Sequence, residues 1–134
     1  MIKYLLLLAF LFQGTSFTNS PKDTNAAVMT FEFETHNFGD IREGDEAKID
    51  FVFTNTGNEK LIITNVIGSC ECTVPTWAQE PVLPGEKSAI TVEYNTEGKS
   101  GKFSKSITIS SNATEDLKRL FIKGNVLPSS DATE

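Results

Sequence analysis

The chain has 134 residues, a length that suits one domain able to bury about two-thirds of the surface of its unfolded form. It carries 12 basic and 18 acidic residues, which give a formal net charge of −6. Because such a chain repels polyanions, nucleic acid and anionic lipid surfaces are poor partners for it. The two cysteines lie so close in sequence that they cannot tie distant strands together, which excludes a disulfide-framed fold.

An export signal is predicted at residues 1–16. Lys3 precedes an apolar run from Tyr4 to Phe12, and small polar residues follow up to Ser16, where we place the cleavage. This run is too short to span a bilayer as a helix, so a retained membrane anchor is the weaker alternative. No cysteine follows the run to accept a lipid. We therefore expect a periplasmic or secreted protein with a net charge of −7 and no membrane insertion after cleavage.

The rest of the chain divides into three parts. Residues 17–27 are rich in small polar residues and predict a flexible leader. Residues 28–127 carry the periodic apolar pattern of a folded domain, and residues 128–134 form a linker-like tail.

Alternation of apolar and polar residues predicts the strands of this domain, each with its apolar members on the buried face. The clearest strand spans residues 47–55, with Ile49, Phe51 and Phe53 on its buried face. The segment 61–67 changes phase between Ile63 and Val66, which predicts a β-bulge. The other predicted core positions are Met29, Phe31, Phe33, Ile90, Val92, Tyr94, Phe103, Ile107, Ile109, Leu120, Ile122 and Val126.

The segments between the strands are rich in glycine, proline and asparagine. Gly39 favours a turning segment from which Phe38 and Ile41 reach the core, and residues 96–101 predict a polar hairpin loop. Residues 76–87 contain two prolines and predict irregular or edge structure. About seven short strands without a helical period predict an all-β fold, an immunoglobulin-like antiparallel β-sandwich, with a small closed barrel as the alternative.

The stretch from Gly68 to Pro75, reading GSCECTVP, contains both cysteines and is the main candidate for chemistry. In an extended strand, Cys70 and Cys72 would present their sulfurs on one side, with Cα atoms roughly 6.6 Å apart. That separation is near the upper limit for a disulfide, so a bond between them needs a local turn. Three interpretations stay open: a structural pair that includes a local disulfide, two thiolates for a soft metal such as Cu(I), and a redox couple.

Other chemistry is sparse in the sequence. His36 is the only histidine, so a catalytic triad would have to use it, and we expect no catalytic residue and no cofactor. Cys70, Cys72 and His36 supply three of the four ligands that a structural zinc ion needs, which makes Cu(I) the better candidate metal. Trp77 lies near prolines in the sequence, and we expect its side chain to cover one end of the sandwich as a plug. The alternative is that Trp77 contacts a partner.

Between Phe31 and Val126 the chain contains, in order, the segments FEFETHNFGDIREG, FVFTNTGNEKLIITNV, SCECTVP, LPGEKSAITVEYN and GKFSKSITISSN. With these segments it resembles a family of exported bacterial domains of unknown function, related to Hydin-type and major-sperm-protein-like immunoglobulin folds, with a Ser-Cys-x-Cys-Thr motif. That family usually has glycine between the cysteines, where this chain has Glu71. The resemblance implies an immunoglobulin-like sandwich and an envelope location, and it implies no established activity.

We therefore predict an exported, non-enzymatic interaction or structural module of the envelope, with protein partners. The alternative is a soft-metal or thiol-redox protein centred on Cys70 and Cys72.

Overall fold

The computed structural model describes residues 25–130. The predicted signal peptide and most of the predicted leader lie outside the described residues. None of the described residues forms a helix long and apolar enough to cross a membrane. The described strands are β1 (Met29–Phe31), β2 (Thr35–Arg42), β3 (Ala47–Asn55), β4 (Ile63–Gly68), β5 (Thr73–Trp77), β6 (Lys87–Tyr94), β7 (Gly101–Ser111) and β8 (Leu117–Leu127).

These strands form two four-stranded sheets that enclose one core. The first sheet has the order β1-β3-β6-β5 and the second sheet the order β2-β8-β7-β4. Neighbouring strands are antiparallel except β2 and β8, which run parallel. Only β5–β6 and β7–β8 are hairpins, and the other connections pass from one sheet to the other. The predicted all-β immunoglobulin-like sandwich is confirmed, with eight described strands rather than about seven.

The core lies between the sheets and is built from the apolar positions of the alternating pattern. Each strand turns successive side chains to opposite faces, so the residues in phase with Phe51 and Ile107 all point inward. Burying one such side chain contributes about 1.5 to 3 kcal/mol. The fully buried large apolar residues are Phe51, Phe53, Leu61, Ile90, Val92, Ile107, Ile109, Leu120 and Ile122. Phe33, predicted to be in the core, is 39% exposed because β1 already ends at Phe31.

Strand β2 replaces the turning segment that was predicted around Gly39. Its register on β8 shifts between Asn37 and Asp40, and Gly39 has a positive φ of 67° there. The resulting bulge breaks the alternation that would have marked a strand in the sequence. Phe38 and Ile41 still pack against the core, as predicted.

Three further local predictions can be compared with the structure. Residues 96–101 are not a hairpin loop, because they join β6 in the first sheet to β7 in the second. The bulge predicted after Ile63 is confirmed by a register shift between Ile63 and Asn65. Ala27, placed in the leader, is buried and bridges to Ala113, so the folded domain begins earlier than residue 28.

Candidate functional site

The two cysteines lie in the turn between β4 and β5, where the chain passes from the second sheet to the first. The structure joins their sulfurs in a disulfide, with the Cα atoms 5.2 Å apart. The turn brings the two residues closer than an extended strand would. Backbone hydrogen bonds hold it, since Thr73 N donates to Cys70 O at 3.1 Å and Asn95 N donates to Cys72 O at 2.8 Å.

Gly68 permits the close approach of the two sheets just before this turn. A Cβ atom at Gly68 would overlap the carbonyl oxygen of Thr73 and lie 2.9 Å from its Cβ. Any larger residue would therefore push the end of β4 away from the start of β5. The sequence GSCECT thus closes one side of the sandwich.

The three candidate metal ligands are not brought together. The sulfurs of Cys70 and Cys72 are bonded to each other, and β4, which leads to Cys70, is at one edge of the second sheet. His36 is on β2 at the opposite edge, three strand spacings or about 14 Å away. Its ring makes an edge contact with Phe38 at a centroid distance of 4.6 Å. Among residues 25–130, no three His, Cys, Asp or Glu side chains cluster as metal ligands.

Trp77 ends β5, and its half-buried ring packs against the core. Its indole Nε1 is buried and has no hydrogen-bond partner among the described residues. The packing is that of a plug at the margin of the core, while a contact between Trp77 and a partner stays a prediction.

The outer face of the second sheet has a composition that differs from an ordinary solvated face. One of its two inner strands, β7, presents small hydroxyl side chains to the outside, at Ser104, Ser106, Thr108 and Ser110. The flanking strands carry larger side chains, so β7 lies at the bottom of a shallow trough. We call this trough the β7 groove; its floor is those four residues, its β8 wall is Leu117, Arg119, Phe121 and Lys123, and its β4 wall is Asn65 and Ile67.

Three apolar side chains on the walls of the β7 groove are in contact with water. Ile67 is 58% exposed, Leu117 is 55% exposed and Phe121 is 41% exposed. The register places Ile67 and Arg119 on either side of Thr108, and Phe121 beside Ser106. Single exposed apolar residues are common, whereas these three share one face of the second sheet.

A depression of about 520 Å³ lies at the Ser104 end of the β7 groove. Gly124 and Phe103 line it, and the Phe103 ring packs so closely over the glycine that a Cβ there would lie 2.8 Å from it. Phe103 in turn stacks on Tyr94 with ring centroids 4.0 Å apart, and burial raises the pKa of the Tyr94 hydroxyl. The rim of the depression carries Lys102 and Lys123.

The charge on this face is opposite in sign to that of the whole chain. Lys102, Arg119 and Lys123 are exposed there and form no ion pair with any described carboxylate. Asp40, at the rim of the depression, accepts a hydrogen bond from Asn125 at 3.0 Å. Lys118 points away from this face and pairs with Glu34 at 2.6 Å. In a chain of net charge −6, the β7 groove is a local basic surface.

The free edges of both sheets are unsuited to binding a partner strand. β1 has three residues, β2 is bulged at Gly39, and β4 lies against β5. The hydrogen bond from Asn95 N to Cys72 O makes these two residues a hydrogen-bonded pair of the β5–β6 ladder. In an antiparallel ladder such pairs recur at every second residue, so Pro75, three residues further on, occupies a non-hydrogen-bonded position and its backbone nitrogen points away from β6. That nitrogen carries no hydrogen, which removes a donor from the free edge. A partner is therefore more readily accommodated on a face than at an edge.

The β7 groove could not be recognised from the sequence alone. Ser104, Ser106 and Thr108 were the polar phase of an alternating strand, which is typical of any solvated face. Ile67 and Phe121 are far apart in sequence and meet only through the β4-β7-β8 order.

Comparisons with known proteins agree with this fold. A family model described as a protein of unknown function (DUF1573) matches residues 29–126. A protein of unknown function from Porphyromonas gingivalis W83 is similar in structure, with a TM-score of 0.66 and 18% identity over 76% of this chain and 48% of that chain. This chain thus spans about half the length of that relative. No curated protein matches the sequence.

Two other solved structures show the same architecture. The ASH/PapD-like domain 7 of human CEP192 aligns with a TM-score of 0.61 and 9% identity, over 95% of this chain and 100% of that one. The secreted serine protease VesC of Vibrio cholerae aligns with a TM-score of 0.58 and 14% identity, over 75% of this chain and 23% of that one. At these identities the likeness concerns the fold alone. The predicted kinship to Hydin-type and major-sperm-protein-like domains stays a prediction.

Proposed function

The chain belongs to the DUF1573 family of proteins of unknown function, and we propose that it is an exported, non-enzymatic protein-binding module of the bacterial envelope. In this proposal the β7 groove is the binding surface.

The grouping of Ile67, Leu117 and Phe121 around the β7 groove carries the proposal. Their side chains are 58%, 55% and 41% exposed, respectively, which leaves apolar surface in water on a face with a defined shape. A partner that covers this surface gains about 25 cal/mol for each Å² of apolar area removed from water. The blunted sheet edges favour a face-on mode of binding over the addition of a strand.

The alternative of a soft-metal or thiol-redox protein has less support. A disulfide offers no thiolate to Cu(I), and His36 is at the opposite edge of the second sheet from the cysteine turn. The exposed carboxylate between the cysteines, Glu71, also disfavours a thiolate if the bond is reduced.

Site-specific photo-crosslinking in producing cells tests the binding surface. A benzoylphenylalanine replaces Ser106, on the floor of the β7 groove, and in a second version Thr76, on the outer face of the first sheet. We expect a discrete adduct with an envelope protein from position 106 and none from position 76. No adduct from either position, or the same adduct from both, would contradict the proposal.

Export is tested separately by the mass of the protein recovered from the envelope fraction. We expect a mature form that starts at Phe17, recovered without detergent. A form that starts before Gln13, or one that requires detergent, would show that the export signal is retained.

A further inference from the structure

We propose that the occupant of the β7 groove is an extended, acidic segment of a partner protein, with two acidic residues flanking an apolar one in the pattern acidic-x-apolar-x-acidic. This inference rests on the proposed function and adds the chemistry of the partner.

The spacing of the groove floor favours an extended segment. Outward side chains of β7 recur at every second residue, which places the hydroxyls of Ser104, Ser106 and Thr108 about 6.7 Å apart in succession. An extended segment lying along β7 repeats its side chains at the same interval. Its polar groups therefore meet hydroxyls that can donate or accept a hydrogen bond at each step.

The β8 wall specifies the order of the side chains. Arg119, Phe121 and Lys123 point to the same side, and the two cations are separated by four residues, or about 13 Å. In an extended segment, residues i and i+4 are separated by the same distance and also point to one side. Acidic residues at i and i+4 thus meet Arg119 and Lys123, while an apolar residue at i+2 meets Phe121.

Charge complementarity determines the choice of occupant. Arg119 and Lys123 have no described carboxylate as an ion-pair partner, and Lys102 adds a third cation at the rim of the depression. The rest of the molecule is acidic, so an acidic segment is repelled elsewhere and guided toward this face. A neutral or basic segment would find no such preference.

A library of random nine-residue peptides displayed on phage, selected on the immobilised mature protein, tests the inference. We expect enrichment of peptides with the acidic-x-apolar-x-acidic pattern. The Arg119→Glu/Lys123→Glu variant should lose this enrichment, and the matched control Lys48→Glu/Lys60→Glu, with two exposed lysines outside the groove, should keep it. Equal thermal unfolding of both variants shows that each is folded.

An enriched peptide is then synthesised and its affinity measured by fluorescence anisotropy. The Arg119→Glu/Lys123→Glu variant should bind it about tenfold more weakly than the control variant. This difference in affinity should shrink at high salt, because the exposed charges are screened. Phe121→Ser should also weaken binding. Enrichment of neutral or basic peptides, no enrichment, or equal affinity of the two charge variants would overturn the inference. The inference would also be overturned if the protein formed a dimer that the Arg119→Glu/Lys123→Glu variant disrupts and the control variant does not, because a second copy of the chain would then be the occupant.

The two experiments fail in different ways. An adduct from position 106 in cells, together with peptides that lack acidic residues, would leave the binding surface in place and refute only the acidic segment. Absence of the adduct would refute the proposed function itself.

Discussion

At the scale of single residues, Asn55 does more for this fold than its place at the end of a predicted strand suggested. It is fully buried, and its Nδ2 donates to the carbonyl oxygens of Glu59 at 2.7 Å and Val82 at 2.9 Å. Its Oδ1 accepts from the backbone nitrogens of Gly57 at 3.0 Å and Val28 at 3.3 Å. One side chain therefore joins four backbone groups, from three segments of the chain, at one end of the sandwich.

Asn55→Ala should lower the free energy of unfolding by about 3 kcal/mol, because it leaves buried backbone groups without partners. The control is Asn95→Ala, at an exposed residue whose one side-chain hydrogen bond is to the nearby Glu97 nitrogen. It should cost about 1 kcal/mol or less. Urea unfolding of both variants measures the difference. Equal losses would show that the buried network around Asn55 is not what holds this end of the domain.

The raised pKa values of Lys118 and Tyr94 predict that the protein loses stability at alkaline pH. Hydrogen bonding to Glu34 raises the pKa of Lys118 despite its burial, and burial raises the pKa of Tyr94. A group whose pKa is higher in the folded state stabilises the protein fully below its unfolded pKa and loses that contribution as the pH rises through the folded value. With ordinary values of 10.5 for lysine and 10.0 for tyrosine, the loss should begin near pH 10.

Tyr94→Phe and Lys118→Met remove these groups one at a time. Each variant should lose less stability than the wild type between about pH 9 and pH 11, since it has one fewer group that titrates differently in the folded and unfolded states. Tyr94→Phe also keeps the stacking on Phe103. Denaturant melts across this range measure the effect, and parallel pH profiles for the three proteins would refute it.

At the scale of elements, the β4–β5 turn depends on steric fit as well as on its disulfide. Gly68→Ala should cost about 2 to 3 kcal/mol, because the new Cβ overlaps the backbone of Thr73 and the strand ends must separate. The comparison is Gly98→Ala, where the space is open and only the positive φ of 68° is strained, at a cost of about 1 kcal/mol. Thermal melts rank the two variants. A smaller loss for Gly68→Ala would mean that the two sheets can separate here at little cost.

The elements also show how far local sequence patterns reach. Strands β3, β6 and β7 were predictable because their alternation reports directly which side chains are buried. Strand β2 was not, since the bulge at Gly39 and the edge position of the strand remove the alternation. The disulfide was one of three open interpretations, because the sequence alone did not determine whether Cys70 and Cys72 occupy a strand or a turn.

At the scale of the whole molecule, the apolar core and not the cysteine pair should determine stability. Phe51 is fully buried, so Phe51→Ala should cost about 3 to 5 kcal/mol through lost burial and a cavity. A disulfide between residues two apart restricts the unfolded chain very little, and Cys70→Ser/Cys72→Ser should cost less. Urea unfolding under oxidising conditions compares them. The reverse order would mean that the cysteine turn organises the fold.

The candidate binding surface could not be predicted from the sequence, although the fold could. Core positions follow from local alternation, whereas the β7 groove arises from strands that are distant in sequence and adjacent in the second sheet. Lys123 and Ile67 also belong to different predicted strands, and their common face depends on the strand order. Surface chemistry of this kind becomes visible only when the topology is known.

The central claim is that this protein binds its partner through the β7 groove, and the most direct test compares two sets of exposed apolar residues. Both variants carry the photo-crosslinker at position 106; one has Ile67, Leu117 and Phe121 changed to serine, and the control has Val74 and Leu83, which are 50% and 51% exposed, changed to serine. We predict that the groove variant loses most of the adduct while the control retains it, with both proteins folded by thermal melt. Retention of the adduct in the groove variant, or its loss in both, would contradict the account.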